Sequence, residues 1–476
     1  MNVLLLSNSA PNYFHFFNAL AKCFEQAGAT VVVAVDSTFS REENGLDALG
    51  FSVYDFSCYF REHETNQSIL SKYAEFDLNG ALLSDFERAE IYGVWGQGVS
   101  IEYYDKLKSA LLSYFEDIFL RHQINMVLYE NVSNAFAHLA LYVAKKHGAV
   151  YCGIGGSRLP GRFSVTGDPL ADDATKKAFT DIQSGHLKIA DDVRQWAADY
   201  IAAIETIVPD YMKVNGLDRV SLVKRYLRAD RLRKIVSLIR HIADRRLDAF
   251  QVGNPLLTHA NLFYRNVQRR LKISKVKKLY QEPVHGETFL LYPMHFHPES
   301  STSILSGAYL DEYEVIRNIA FSLPEGVRLY VKDHISAWGY PTLDFYRRIC
   351  RLPNVRLLRP DAPTKKIIKD AAGVITLTST VGYEALLLKK RVFLYGCVFY
   401  DFHKGVTKIE NPAKLHALLR REMLREVDWD DNYNIDFVCA YHEATLPVSL
   451  NLMQSADLAV ENARKVFQVL PGFIGE

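Results

Sequence analysis

Between Phe289 and Tyr395 short apolar runs alternate with helical segments, and this alternation limits the folds open to the chain more than any other feature. The runs Phe289 to Met294, Val327 to Lys332, Val355 to Leu358, Val374 to Leu377 and Val392 to Tyr395 read as strands. Helical spacing fills Tyr309 to Leu323, Pro341 to Arg351, Thr364 to Ala371 and Val381 to Leu388 between them. Strands and helices in such strict succession predict an α/β fold, a doubly wound parallel sheet with right-handed crossovers. In such a sheet ligands bind just past the strand C-termini, where a starting helix also offers N–H groups to an anion. Those are the places where His295, His297, Glu299, Ser300, Ser301, Lys332, His334, Ser379 and Thr380 fall.

A second series of the same kind occupies the first part of the chain. Strand Val3 to Leu6, an amphipathic helix from about Tyr13 to Ala27 with Phe14, Phe17, Leu20, Ala21 and Phe24 on one side, and strand Thr30 to Val35 form a β-α-β unit. Its opening loop, Ser7 to Asn12, has no G-x-G-x-x-G, which argues against a dinucleotide-binding enzyme. After a stretch of mixed character, Cys58 to Val99, come helix Glu102 to His122, strand Asn125 to Tyr129, helix Ser133 to Lys146 and strand Ala149 to Ile154. Glu130 is expected at the ligand edge of this sheet, and Asp168, beyond the extended piece after Arg162, near it. The expected division is 1–175 and 286–454 as two α/β domains, 176–285 as a helical basic segment, and 455–476 as a closing helix that crosses back to the first domain.

Length and composition set outer bounds. With 476 residues the chain is long for one core. Its six cysteines have no C-x-x-C spacing, which points to reduced thiols in the cytoplasm and to neither a disulfide framework nor a zinc site. The first residues carry no basic segment before a long apolar run, so they read as a strand and not as a signal peptide. A net charge of +1 argues against a general nucleic-acid partner. The average hides a basic stretch from Arg219 to Lys278, where apolar residues at helical spacing alternate with Arg and Lys. Such helices either lie on an anionic lipid surface or are an ordinary solvated pair with an apolar stripe in the core.

Taken in order, the strings L-Y-P-M-H-F-H-P-E-S-S-T from Leu291, L-Y-V-K-D-H from Leu329, and T-S-T-V-G-Y-E-A-L-L-L-K-K-R-V from Thr378 resemble the capsule polysaccharide biosynthesis family. That family includes bacterial Kdo transferases and is related to bacterial sialyltransferases. The resemblance is close over roughly Phe289 to Tyr400 and loose before it. It implies a GT-B glycosyltransferase, two Rossmann-like domains facing a central cleft, with a nucleotide-activated donor sugar, CMP-linked, and no separate cofactor or metal. It also implies a surface glycan or lipid-linked acceptor, reached at the inner membrane surface.

The resemblance, together with the positions of the residues at strand ends and helix starts, suggests roles. His334 is associated with the donor phosphate, although the family has proline after this histidine where the chain has Ile335. Ser379 and Thr380 would hold phosphate or carboxylate at a helix start, or simply cap that helix. Gly382 would permit close approach, Glu384 would accept from ribose hydroxyls, and Lys332, His295, His297, Glu299, Ser300 and Ser301 would line the donor. On the acceptor side Glu130 or Asp168 would serve as general base or nucleophile, although the family's acidic-acidic-glycine motif has no clear copy here. Two other classes fit the same two-domain pattern: a nucleotide-sugar 2-epimerase and a non-catalytic assembly or export factor.

Overall fold

The computed structural model describes residues 1–10, 12–92, 100–207, 253–453 and 455–470. They fall into two compact units. One holds the chain up to Asp168 together with the segment that begins at Thr445; the other holds the helices after Pro169 and Arg265–Ala444.

In the first unit the strands are β1 (Asn2–Ser7), β2 (Thr30–Val35), β3 (Ser52–Asp55), β4 (Met126–Glu130), β5 (Val150–Gly156) and β6 (Phe163–Thr166). Their order across the sheet is β3-β2-β1-β4-β5-β6. Val3 to Leu6 are buried, as a strand flanked on both sides by parallel neighbours and covered by helices requires. The sequence reverses direction across the sheet between β1 and β4, so the switch point of this unit lies at the ends of those two strands. Strand β6 runs antiparallel, with Gly156 opposite Phe163 and Gly153 opposite Thr166.

Helix Tyr13–Gln26 covers this sheet with Phe16, Phe17, Leu20, Ala21 and Phe24. Phe16 takes the inward place that the sequence pattern gives to Phe14. Each fully buried phenylalanine contributes on the order of 2 kcal/mol. Helix Ala456–Val469 lies against this first helix, and Phe467 meets the ring of Phe24 edge-on, centroids 5.0 Å apart. The segment from Cys58 to Val99 that sequence patterning leaves unassigned holds the short helices Phe56–Glu62, Gln67–Lys72, Leu78–Leu83 and Phe86–Tyr92 among the described residues. Asp55, Asn66 and Asp77 cap the first three by accepting from the N–H groups of Cys58, Ile69 and Gly80.

The second unit has strands β7 (Thr288–Pro293), β8 (Val327–Lys332), β9 (Val355–Leu358), β10 (Gly373–Thr376), β11 (Val392–Leu394) and β12 (Val406–Lys408). All pair in parallel, in the order β12-β11-β10-β7-β8-β9. Here too the direction of winding switches, between β7 and β10. Both units are thus α/β, doubly wound and Rossmann-like in strand order, the fold class that the alternation predicts. Helices Ala174–Gln183 and Asp191–Ala202 pack on helix Asp431–Glu443 of the same unit through Phe179 on Tyr433 and an Arg194–Asp436 ion pair of 2.7 Å. Among the described residues no helix is long and apolar enough to cross a membrane.

Candidate functional site

The winding switch of the second unit is where its polar residues gather. Strand β7 delivers His295, β8 delivers Lys332, Asp333 and His334, and β10 delivers Thr376, Thr378 and Ser379. Since β8 and β10 both flank β7, His334 and Ser379 lie about two strand spacings apart, roughly 10 Å.

At the centre sits Glu312, the first residue of helix Glu312–Ser322, fully enclosed at the end of β7. Its Oε1 accepts from the backbone N–H of His295 at 2.8 Å, from His295 Nδ1 at 3.1 Å and from the Tyr292 hydroxyl at 3.2 Å. Its Oε2 lies 3.7 Å from His297 Nε2. Burial alone would raise the carboxyl's pKa, yet the bonds and charges of His295 and His297 outweigh it, so Glu312 is held below the usual carboxylate range. His295 is itself buried, and its Nε2 accepts from the Thr378 N–H at 3.4 Å and meets the Thr376 hydroxyl at 3.3 Å. Both ring nitrogens are therefore engaged inside the protein. This corrects the expectation that His295 touches the donor: it stands behind the strand-end loop and supports it.

His334 is placed differently. Its Nδ1 accepts from the Ser336 N–H at 3.2 Å, so the neutral ring carries its proton on Nε2. Burial, with His295 and Lys332 nearby, lowers its pKa to about 4. At neutral pH it offers one N–H and no full charge, which suits hydrogen bonding to a phosphate better than protonating one. The turn after it lacks the family's proline and is held by other means. Asp333 accepts from the His334 N–H at 2.8 Å and from the Tyr280 hydroxyl, while the Tyr346 hydroxyl accepts from the Gly339 N–H at 3.0 Å. From helix Pro255–Val276, Arg269 donates to the Trp338 carbonyl and lies over the Tyr340 ring, and Lys272 donates to the carbonyls of Tyr340 and Pro341 at 3.2 and 2.9 Å. Part of the basic stretch thus clamps this turn; its residues 219–252 lie outside those described.

Ser379 caps helix Thr380–Leu387, accepting from Val381 N–H at 3.2 Å, and its own N–H goes to the Thr376 hydroxyl oxygen at 3.1 Å. The space left by Gly382 is taken by Tyr400, because a Cβ there would come within 2.5 Å of its hydroxyl. Tyr400 in turn donates to the Ser379 carbonyl, so Gly382 admits a supporting side chain and not a ligand. Glu384 is partly buried, 3.7 Å from Lys365 Nζ. Buried Lys332 donates to the Pro360 carbonyl at 2.8 Å, and desolvation lowers its pKa to about 8. Ser300 opens a short helix, Ser300–Ser303; Ser301 donates to Glu299 at 3.0 Å, and the Ser301 carbonyl accepts from the Thr378 hydroxyl at 2.8 Å. These bonds tie the loop after β7 to the end of β10.

In the first unit, Glu130 ends β4 at the winding switch beside the end of β1. Its Oε1 accepts from the Ser133 hydroxyl at 2.7 Å. Although the residue keeps some exposed surface, protein crowds the carboxyl and burial pushes its pKa up to about 7, against the opposing pull of Ser133 and Arg88. Asp85, which sequence reasoning passed over, is buried and accepts from the Ala135 N–H at 2.8 Å, so the chain's own carboxylate occupies the start of helix Ala135–Lys146.

Asp168 is elsewhere, contrary to expectation. Because β6 runs antiparallel it carries the chain back to the opposite edge of the sheet, and Asp168 pairs with Lys145 in the last turn of helix Ala135–Lys146. From Ala135 to Lys145 that helix rises roughly 15 Å. Asp168 therefore closes a surface ion pair away from the switch point, leaving Glu130 as the placed candidate.

Asp36, at the end of β2, is fully buried, with Oδ1 accepting from the Ser37 hydroxyl at 3.1 Å and no hydrogen-bond partner for Oδ2 among the described residues. Burial raises its pKa to about 7. A carboxyl raised from 3.8 to about 7 favours folding at low pH and withdraws that support as pH climbs through both values, a swing on the order of 4 kcal/mol. Urea unfolding at pH 5 and pH 8 is expected to show wild type losing stability with rising pH, and Asp36→Asn losing much less. Equal slopes in the two proteins would refute the assignment; Glu130 leaves a residual slope of the same sign.

Comparison with known proteins gives a match of residues 223–428 to the family described as capsule polysaccharide biosynthesis protein. No curated protein sequence matches the chain. Among solved structures, similar chains include the beta Kdo 2,7 transferase of KpsC from Thermosulfurimonas dismutans, 13% identical, covering 74% of this chain and 89% of that one at a TM-score of 0.33. The UDP-GlcNAc 2-epimerase from Methanocaldococcus jannaschii is 11% identical, covering 91% of this chain and 96% of its own at a TM-score of 0.26. Likenesses this distant carry no argument about activity.

Proposed function

We propose, from the match of residues 223–428 to the capsule polysaccharide biosynthesis family, that the chain is a GT-B glycosyltransferase which moves a sugar from a nucleotide-activated donor to a surface glycan or lipid-linked acceptor. The donor is a CMP-linked acidic sugar such as Kdo. The observation that supports this reading is that His334, the start of helix Thr380–Leu387 and the Thr376–Ser379 loop follow the ends of the two strands that flank β7 at the winding switch of the second unit. A neutral N–H donor beside the positive end of a helix suits a phosphate. Glu384 would bind ribose, and Glu130, with its raised pKa, would take a proton from the acceptor hydroxyl. Arg270, Lys275 and Lys278 on the exposed side of the basic segment, with the basic residues before them in sequence, would favour an anionic membrane surface carrying the acceptor.

A thermal-shift panel of CMP, CTP, UDP and GDP tests the reading, because a ligand at 100 times its Kd adds about 2.7 kcal/mol to apparent stability. CMP or CTP is expected to raise the melting temperature most. A shift with UDP alone would remove the acidic-sugar assignment, and no shift with any nucleotide would remove the transferase. Turnover of a nucleotide sugar without acceptor would mark an epimerase instead.

A further inference from the structure

Glu312 has no place in the functional reading above, yet it is a buried carboxylate at the site. Four polar groups converge on it: the His295 N–H, His295 Nδ1, the Tyr292 hydroxyl and, at longer range, His297. What this does to His295 follows from bonding rules. A backbone N–H can only donate, so the Thr378 N–H directed at His295 Nε2 requires that nitrogen to be an unprotonated acceptor. The ring proton then sits on Nδ1, where the Glu312 carboxylate receives it. With Nε2 bare, the Thr376 hydroxyl turns its proton to the ring and leaves its oxygen to accept the Ser379 N–H. One carboxylate therefore sets a histidine tautomer, and that tautomer sets the conformation of the loop that leads into helix Thr380–Leu387.

We propose that Glu312 is the positioning residue of the donor site, acting through the His295 tautomer to hold residues 376–379 in the shape that receives the donor phosphate. This rests on the nucleotide-binding reading of the same site and adds the residue on which its geometry depends. Leucine is the informative replacement and glutamine its control. The glutamine carbonyl oxygen, in the place of Oε1, still accepts both the His295 N–H and Nδ1–H and so keeps the tautomer, whereas leucine leaves Nδ1 without an acceptor. In the leucine variant the ring proton is no longer held on Nδ1 and passes to Nε2, where it opposes the Thr378 N–H.

The test reads the tautomer directly by ¹⁵N histidine spectroscopy on the full chain without ligand, alongside titration with CMP. Wild type is expected to show His295 with the proton on Nδ1. Glu312→Leu is expected to shift it to Nε2 and to weaken CMP binding roughly tenfold or more, the scale of one lost charge-assisted contact, while Glu312→Gln keeps the wild-type tautomer. Thr376→Val, nearly the same shape, is expected to weaken CMP binding while leaving the tautomer as in wild type, and it serves also if the leucine variant fails to fold. An unchanged tautomer in Glu312→Leu, or a changed tautomer with unchanged affinity, overturns the proposal, as does a Thr376→Val protein that binds CMP like wild type. If wild type binds no nucleotide while the tautomer still follows residue 312, the donor-site reading falls and the control of His295 by Glu312 stands.

Discussion

Glu130→Gln is expected to lower sugar transfer by roughly 10²- to 10⁴-fold, the usual contribution of a positioned general base, while leaving CMP affinity unchanged. The two quantities separate because Glu130 belongs to the first unit and the proposed nucleotide contacts to the second. The pH dependence has a definite sign. A base must be ionised to act, and burial sets the Glu130 carboxyl at about 7, so the wild-type rate should climb as pH rises through 7 and level above it. The glutamine variant should lose that limb. Asp168→Asn, which breaks the pair with Lys145, should transfer sugar at close to the wild-type rate. A glutamine variant that keeps its activity, or an asparagine variant that loses it, would reverse the assignment.

The second large effect is expected at His334. Removing a hydrogen bond to a charged acceptor costs about 1.5–3 kcal/mol, so His334→Ala should weaken CMP binding by roughly 10- to 150-fold. The ligand-free ring is neutral down to about pH 4, so its contribution should change little between pH 6 and 8. Affinity that climbed tenfold per pH unit on acidification across that range would mean that binding requires the imidazolium. Arg269→Met offers a control on the turn: the guanidinium that grips the Trp338 carbonyl is lost while His334 stays. Isothermal titration of the two variants separates the donor from its support.

Much of this architecture can be read from the residues, for physical reasons that also explain the failures. Strands flanked on both sides by parallel neighbours are continuous apolar runs, and Val3 to Leu6 and Phe289 to Met294 stand out because nothing polar interrupts them. The K-D-H string locates His334 because polar residues after such a run sit at a strand end. Strand β6 is a different matter. Phe163 to Thr166 is recognisably extended, but pairing direction is a tertiary property, and the antiparallel return that moves Asp168 away from Glu130 leaves no local trace. Glu312 escaped for a related reason. An acidic residue in the first turn of a helix is ordinary, and only the packing of β7 beneath it shows that this one is buried. His295 was found, but its role was not, since a histidine that serves as a brace and one that touches ligand have the same spacing. Asp333, which fixes the start of the His334 turn, lay within the motif itself and could have been nominated with its neighbours.

Helix Ala456–Val469, with Phe467 against Phe24, has a consequence for biosynthesis. The ribosome completes every strand of the first sheet early, yet the cover over its opening helix emerges only after the whole second sheet has been made. Through that interval a nascent chain must carry an unfinished apolar surface, so it has an interval of chaperone dependence that a protein built from two consecutive domains would not have.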